Sequence, residues 1–91
     1  MEITEIKVKP VSDAGKMKAL VSATFNDAFV VHDIKVIEGA DKLFVAMPSR
    51  KTADNKFRDV AHPITSELRS YMERMILDEY YKAIEKESFE A

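Results

Sequence analysis

The stretch that decides the fold is LFVAMPSRKTADNKFRDVAHPI, residues 43–64. It opens with a nearly continuous apolar run, Leu43 to Met47, which reads as a buried and therefore central β-strand. Pro48 ends that run, and the polar segment Ser49 to Lys56 fits a hairpin loop with Arg50-Lys51 at its tip. Phe57 to Ala61 reads as a short return strand, with Phe57, Asp59 and Ala61 on one face and Arg58 and Val60 on the other. His62-Pro63 stops it. After Ile64 the period of the apolar residues changes from two to about 3.6.

Beyond this stretch, Leu68, Met72, Met75 and Ile76 share one helical face, and Tyr80, Ala83 and Ile84 continue it with a drift. Thr65 is suited to cap this helix, with Pro63 favouring an extended entry, and the helix is predicted to run to about Lys86. Leu77 and Tyr81 fall outside the main stripe. Before the stretch, Glu2 to Lys9 alternates apolar and charged residues as a half-buried strand does. Pro10 ends it, and Ser12-Asp13-Ala14-Gly15 supplies turn residues. Lys16 to Phe25 puts Met17, Ala19, Val21, Ala23 and Phe25 on one face. Asn26-Asp27 signals a two-residue hairpin, and Ala28 to Ile37 forms the third strand. The expected architecture is α+β: one domain over 1–91, an antiparallel sheet of about five strands, and a C-terminal α-helix packed on it.

A single helix covers a five-stranded sheet poorly, and open edges invite uncontrolled pairing. Both problems are relieved by a closed dimer, the commonest oligomer. The second apolar edge of the helix, Leu77 and Tyr81, points the same way.

Composition narrows the chemistry. The 91 residues are 46% hydrophobic and 33% charged, so a soluble globular domain is expected. With no cysteine there is no disulfide framework or thiolate metal site, and two histidines make a structural zinc site improbable. No run reaches the roughly 20 apolar residues of a membrane span, and no signal-peptide pattern opens the chain, so a cytoplasmic location is expected. The only glycines, Gly15 and Gly39, build no phosphate loop. In His32-Asp33, strand alternation points the two side chains to opposite faces, which disfavours a catalytic pair. His62 is expected to hold the strand-to-helix corner through a ring-nitrogen hydrogen bond. The methionines fit core filling, and the tyrosines lie on the helix, so strand positions lack the mixed aromatic and basic residues of a single-strand platform. No enzyme, no metal, no cofactor and no small-molecule substrate are expected.

Net charge is −2, but unevenly spread. Residues 1–49 carry −1 and residues 70–91 carry −3, whereas residues 50–69 carry +2 from Arg50, Lys51, Lys56, Arg58 and Arg69 against Asp54, Asp59 and Glu67. That island suits an anionic partner, while the acidic remainder opposes indiscriminate polyanion binding. Thr65-Ser66 at the helix entry adds N–H groups and hydroxyls that suit an anion.

The stretches VVHDIKVI (residues 30–37), LFVAMPSRKT (43–52) and FRDVAHPI (57–64), preceded by GKMKA (15–19), closely resemble the bacterial stage V sporulation protein G (SpoVG) family. The resemblance implies a cytoplasmic homodimeric regulator that binds DNA, and in some members RNA, and acts in sporulation, septation and cell-envelope control. It places nucleic-acid contact at the basic pair after Pro-Ser, here Arg50 and Lys51, and sequence preference around Ser66, Glu67, Arg69 and Ser70. The family pair commonly reads Lys-Arg; here it is Arg-Lys, which moves the bidentate guanidinium by one position. Arg50, Lys51, Lys56, Arg58, Ser66 and Arg69 are the candidate contacts. The competing expectation is a protein-interaction module of the division or envelope machinery that binds no nucleic acid.

Overall fold

The computed structural model describes residues 1–11 and 15–90, with side chains described through residue 85. The predicted Ser12-Asp13-Ala14 turn lies outside the described residues. Strands β1 (Ile3–Pro10), β2 (Met17–Phe25), β3 (Phe29–Glu38) and β4 (Leu43–Ala46) form one antiparallel sheet in the order β1-β2-β3-β4. Strands β5 (Ser49–Lys51) and β6 (Phe57–Asp59) form a separate two-stranded ribbon. Helix α1 (Ser66–Glu90) follows. The α+β class is observed, with three corrections. The sheet has four strands, because the Phe57 strand pairs in the ribbon. Part of the expected Ser49–Lys56 loop is itself a strand. The apolar fourth strand is an edge, not a centre: β4 pairs only with β3.

Strand β2 shows why the sheet forms. Its alternate residues Ala19, Val21, Ala23 and Phe25 are buried, and Lys18, Leu20, Ser22 and Thr24 between them are partly open. Shifting this strand by one residue would turn the whole apolar set to water, so burial locks the register. Ile34, Val36, Val45 and Met47 complete the inner face. Met72, Ile76 and Tyr80 of α1 close the core against it, with Leu68, Met75, Leu77 and Ile84 packed around them. Each such side chain taken fully out of water contributes about 1.5–3 kcal/mol. Leu77 therefore joins the core margin, and Tyr81 stays half exposed with its ring edge-on to Tyr80 at 5.6 Å.

The β2–β3 turn uses Asn26 and Asp27, both at φ +52, the left-handed values a type I′ hairpin needs. The start of β1 ties it down: the Glu2 N–H donates to Asn26 Oδ1 (3.0 Å) and the Asp27 N–H to Thr4 Oγ1 (3.0 Å). Pro10 is the last residue of β1 rather than a stop before it, tolerated because β1 is an edge strand. The helix is capped as expected, with the Leu68 N–H donating to Thr65 Oγ1 at 3.1 Å. It runs to Glu90, past the expected Lys86. Among the described residues no helix is long and apolar enough to cross a membrane.

Candidate nucleic-acid interface

The ribbon places the basic residues. Pro48, buried, leaves the sheet edge, and the chain then doubles back: Ser49 faces Asp59, Arg50 faces Arg58, and Lys51 faces Phe57. The turn is built from Thr52 to Lys56. The Asn55 N–H donates to the Thr52 carbonyl (3.0 Å) and the Thr52 N–H to the Lys56 carbonyl (2.7 Å). Asn55 sits at φ +65, a position that Asn tolerates because its side chain can bond locally. The Thr52 hydroxyl donates to Asp54. That bond holds the Asp54 carboxyl below its ordinary value of 3.8; desolvation opposes it, and the N–H groups of Asp54 and Lys56 aid it to a lesser extent. At the other end the Val60 N–H donates to the Pro48 carbonyl at 2.7 Å and closes the base of the ribbon.

Arg50 and Lys51 are therefore strand residues, not loop-tip residues; the tip is Ala53-Asp54-Asn55. A two-residue period separates them: Arg50 and Arg58 stand on one face of the ribbon, Lys51 and Phe57 on the other. By the same period Lys56 shares the arginine face. A hollow of about 320 Å³ on that face is lined by Arg50, Thr52, Arg58, Asp59 and Val60.

All six residues of β5 and β6 are exposed. Among the described residues the ion pairs are Lys18–Glu38 at 4.0 Å and Lys82–Glu79 at 3.5 Å, so Arg50, Lys51, Lys56 and Arg58 have no carboxylate at salt-bridge distance. Two like charges directly opposed across strands are unfavourable in isolation. The ribbon carries such a pair with no ion pair to either arginine among the described residues, although Asp59 borders the same hollow, and on an element that packs little against the rest of the molecule.

Ser66 and Arg69 lie in the first turns of α1, three residues apart on one helix face and both exposed. The structure does not pack this turn against the ribbon. Thr65 already satisfies one of the helix's free N–H groups, and Glu67 puts an acid between the two candidates. Ser66 and Arg69 thus form a separate, weaker patch. The connecting corner is held as expected, with His62 Nδ1–H donating to the Pro63 carbonyl at 3.2 Å.

His32 and Asp33 need a correction. Val31 faces Ala23 and Ile34 faces Val21, which leaves both residues opposite Ser22 alone. This bulge, with Asp33 at φ +62, breaks the alternation, and the two side chains border the same hollow rather than opposite faces. No hydrogen bond joins them among the described residues.

Reading the sequence missed a set of outward apolar residues beside the ribbon base. Met1, Phe29 and Ile64 are 70%, 58% and 88% exposed and border a hollow of about 280 Å³ whose walls include Met47, Leu68 and Met72. A signal was present: Ile64 falls between the strand stop His62-Pro63 and the helix cap Thr65, outside both apolar periodicities.

The chain matches the SpoVG family model over residues 1–82. It is 56% identical over 88 residues to "Putative septation protein SpoVG" of Caldanaerobacter subterraneus subsp. tengcongensis, covering 97% of each chain. A protein of the same name from Thermoanaerobacter sp. is 57% identical over 88 residues, covering 97% of this chain and 96% of the relative. One from Clostridium perfringens is 58% identical over 82 residues, covering 90% and 91%. With a family match and relatives of this identity spanning nearly its full length, the chain belongs to the SpoVG family.

Proposed function

We propose that this protein is a non-enzymatic, homodimeric nucleic-acid-binding regulator in the cytoplasm, acting on gene expression in septation or sporulation-type processes, with the β5–β6 ribbon as its main contact element. The septation part rests on the names of its relatives. The observation that carries the binding part is the Arg50–Arg58 pair: exposed, directly opposed and without a carboxylate at salt-bridge distance among the described residues. A phosphate backbone converts that repulsion into a gain, because each cation placed on a phosphate releases condensed counterions. A two-stranded ribbon also fits the major groove, about 12 Å wide, and there both its faces meet DNA. Arg50 and Arg58 then reach one side and Lys51 the other, while Lys56 adds field. Ser66 and Arg69 assist from the helix entry.

The apolar set Met1, Phe29 and Ile64 supports the homodimer. Its residues adjoin the base of the ribbon, so a second copy covering them brings two ribbons to one duplex. The same apolar surface also supports the second reading, a protein-interaction module of the division machinery. A gel-shift titration across salt separates the two. The variant carrying Arg50→Ala and Lys51→Ala is expected to keep its melting temperature and dimer mass, lose affinity and show a salt slope smaller by about 2. No binding of DNA or RNA by the unaltered protein, together with capture of a division-protein partner, would favour the module.

A further inference from the structure

The sheet face turned away from α1 carries cations that the ribbon does not use. Lys7 and Lys9 of β1 lie opposite Ser22 and Leu20 of β2; Leu20 lies opposite Lys35 of β3. These positions alternate with the buried Val21, Ile34 and Val36, so they turn outward. Lys9 and Lys35 stand two strand spacings apart, about 10 Å at the backbone. Phe44 of β4, opposite Ile37, turns outward next to Lys35 and is 43% exposed. Gly39 lies against its ring, since a Cβ there would sit 3.2 Å from it. The bulge at His32-Asp33 adds a hollow of about 220 Å³ beside Lys7 and Lys9. The acids on this face are Glu5 and Asp33; Glu38, opposite Leu43, falls on the other face by alternation and is spanned by Lys18 at 4.0 Å. Lys7, Lys9 and Lys35 have no carboxylate at salt-bridge distance among the described residues.

We propose that this open sheet face is a second contact surface, which takes a single-stranded nucleic-acid segment with phosphates on Lys7, Lys9 and Lys35 and a base stacked on Phe44. The inference rests on the reading that the protein binds nucleic acid. Charge complementarity names a polyanion as the occupant. The exposed aromatic selects a single strand over a duplex, because only an unstacked base offers its face to a ring. Residue patterning did not find exposed aromatics beside cations among the strands; Phe44, within an apolar run that reads as wholly buried, is one, and Phe57, opposite Lys51 on the ribbon, is another.

The test is fluorescence anisotropy with a labelled 20-nucleotide single strand and a 20-base-pair duplex across a salt series. The combined variant Lys7→Gln, Lys9→Gln and Lys35→Gln is expected to bind the single strand at least tenfold more weakly, with a salt slope lower by about 2. Phe44→Leu, which keeps the apolar packing, is expected to weaken single-strand binding at least fivefold without changing that slope. Both variants keep the melting temperature and sedimentation of the parent. Unchanged single-strand binding in the lysine variant, while Arg50→Ala/Lys51→Ala weakens duplex binding, overturns this inference and leaves the ribbon reading intact. A lysine variant that changes sedimentation also overturns it, since the face is then a contact between copies. No binding of either probe by the parent overturns both readings.

Discussion

The four-stranded sheet and the two-stranded ribbon are built from the same backbone pattern but differ in what holds them in register. In the sheet, half of each β2 side-chain row is buried, and register is enforced by the core. In the ribbon every residue of both strands is exposed, and register is set by the strand pairing, the turn and a hydrogen bond at its base, with no buried side-chain row. The sheet buries one apolar face against α1, while Phe29, Val30 and Phe44 stay exposed. The ribbon sets Arg50 against Arg58, with no salt bridge to either among the described residues. Stability therefore resides in the sheet and α1, and the ribbon can change its side chains without disturbing the core.

This division is breakable at several points. The largest effect is expected from Ile34→Ala, a fully buried position facing α1, which should cost about 2–5 kcal/mol of global stability in denaturant unfolding. Its ribbon amides should still exchange as in the parent under native conditions. Next comes Asn55→Val. A β-branched residue forced to φ +65 should open the ribbon by about 1–3 kcal/mol, seen as faster hydrogen exchange at the Thr52 amide. The global melting temperature should not move; a matching global loss would mean that ribbon and sheet fold as one unit.

The smallest effect concerns pH. The Asp54 carboxyl is depressed by the Thr52 hydroxyl, so its support of the turn is present above the ordinary value of 3.8 and is lost as pH falls through the lower folded value. An NMR titration should show Asp54 protonating below 3.8 in the parent and closer to 3.8 in Thr52→Val. Core amides should be indifferent to either.

The sheet was legible because its signals are periodic and mutually consistent. The alternation of Met17 to Phe25, the Asn26-Asp27 turn and the Thr65 cap each has a local cause, and each is observed. The ribbon was less legible because exposed strands carry no apolar alternation. Ser49-Arg50-Lys51 is a strand only through its pairing with Phe57–Asp59, so composition reads it as loop. The edge position of β4 was masked by Phe44, which is apolar yet faces water. The bulge at Asp33 was invisible because period-two reasoning assumes no extra residue. For the candidate contacts, residue type and location were readable, but their partition was not: Arg50 and Lys51 are neighbours in sequence and stand on opposite ribbon faces.

The central claim is that the opposed arginines serve binding and not folding. The most direct measurement pairs a thermal melt with the salt dependence of duplex DNA affinity for the parent and for the variant Arg50→Ala/Arg58→Ala. Removing a like-charge pair should leave the melting temperature unchanged or slightly higher, while the slope of log K against log salt falls by about 2. A variant that melts lower, or one that binds with the parent's affinity and slope, would contradict the account.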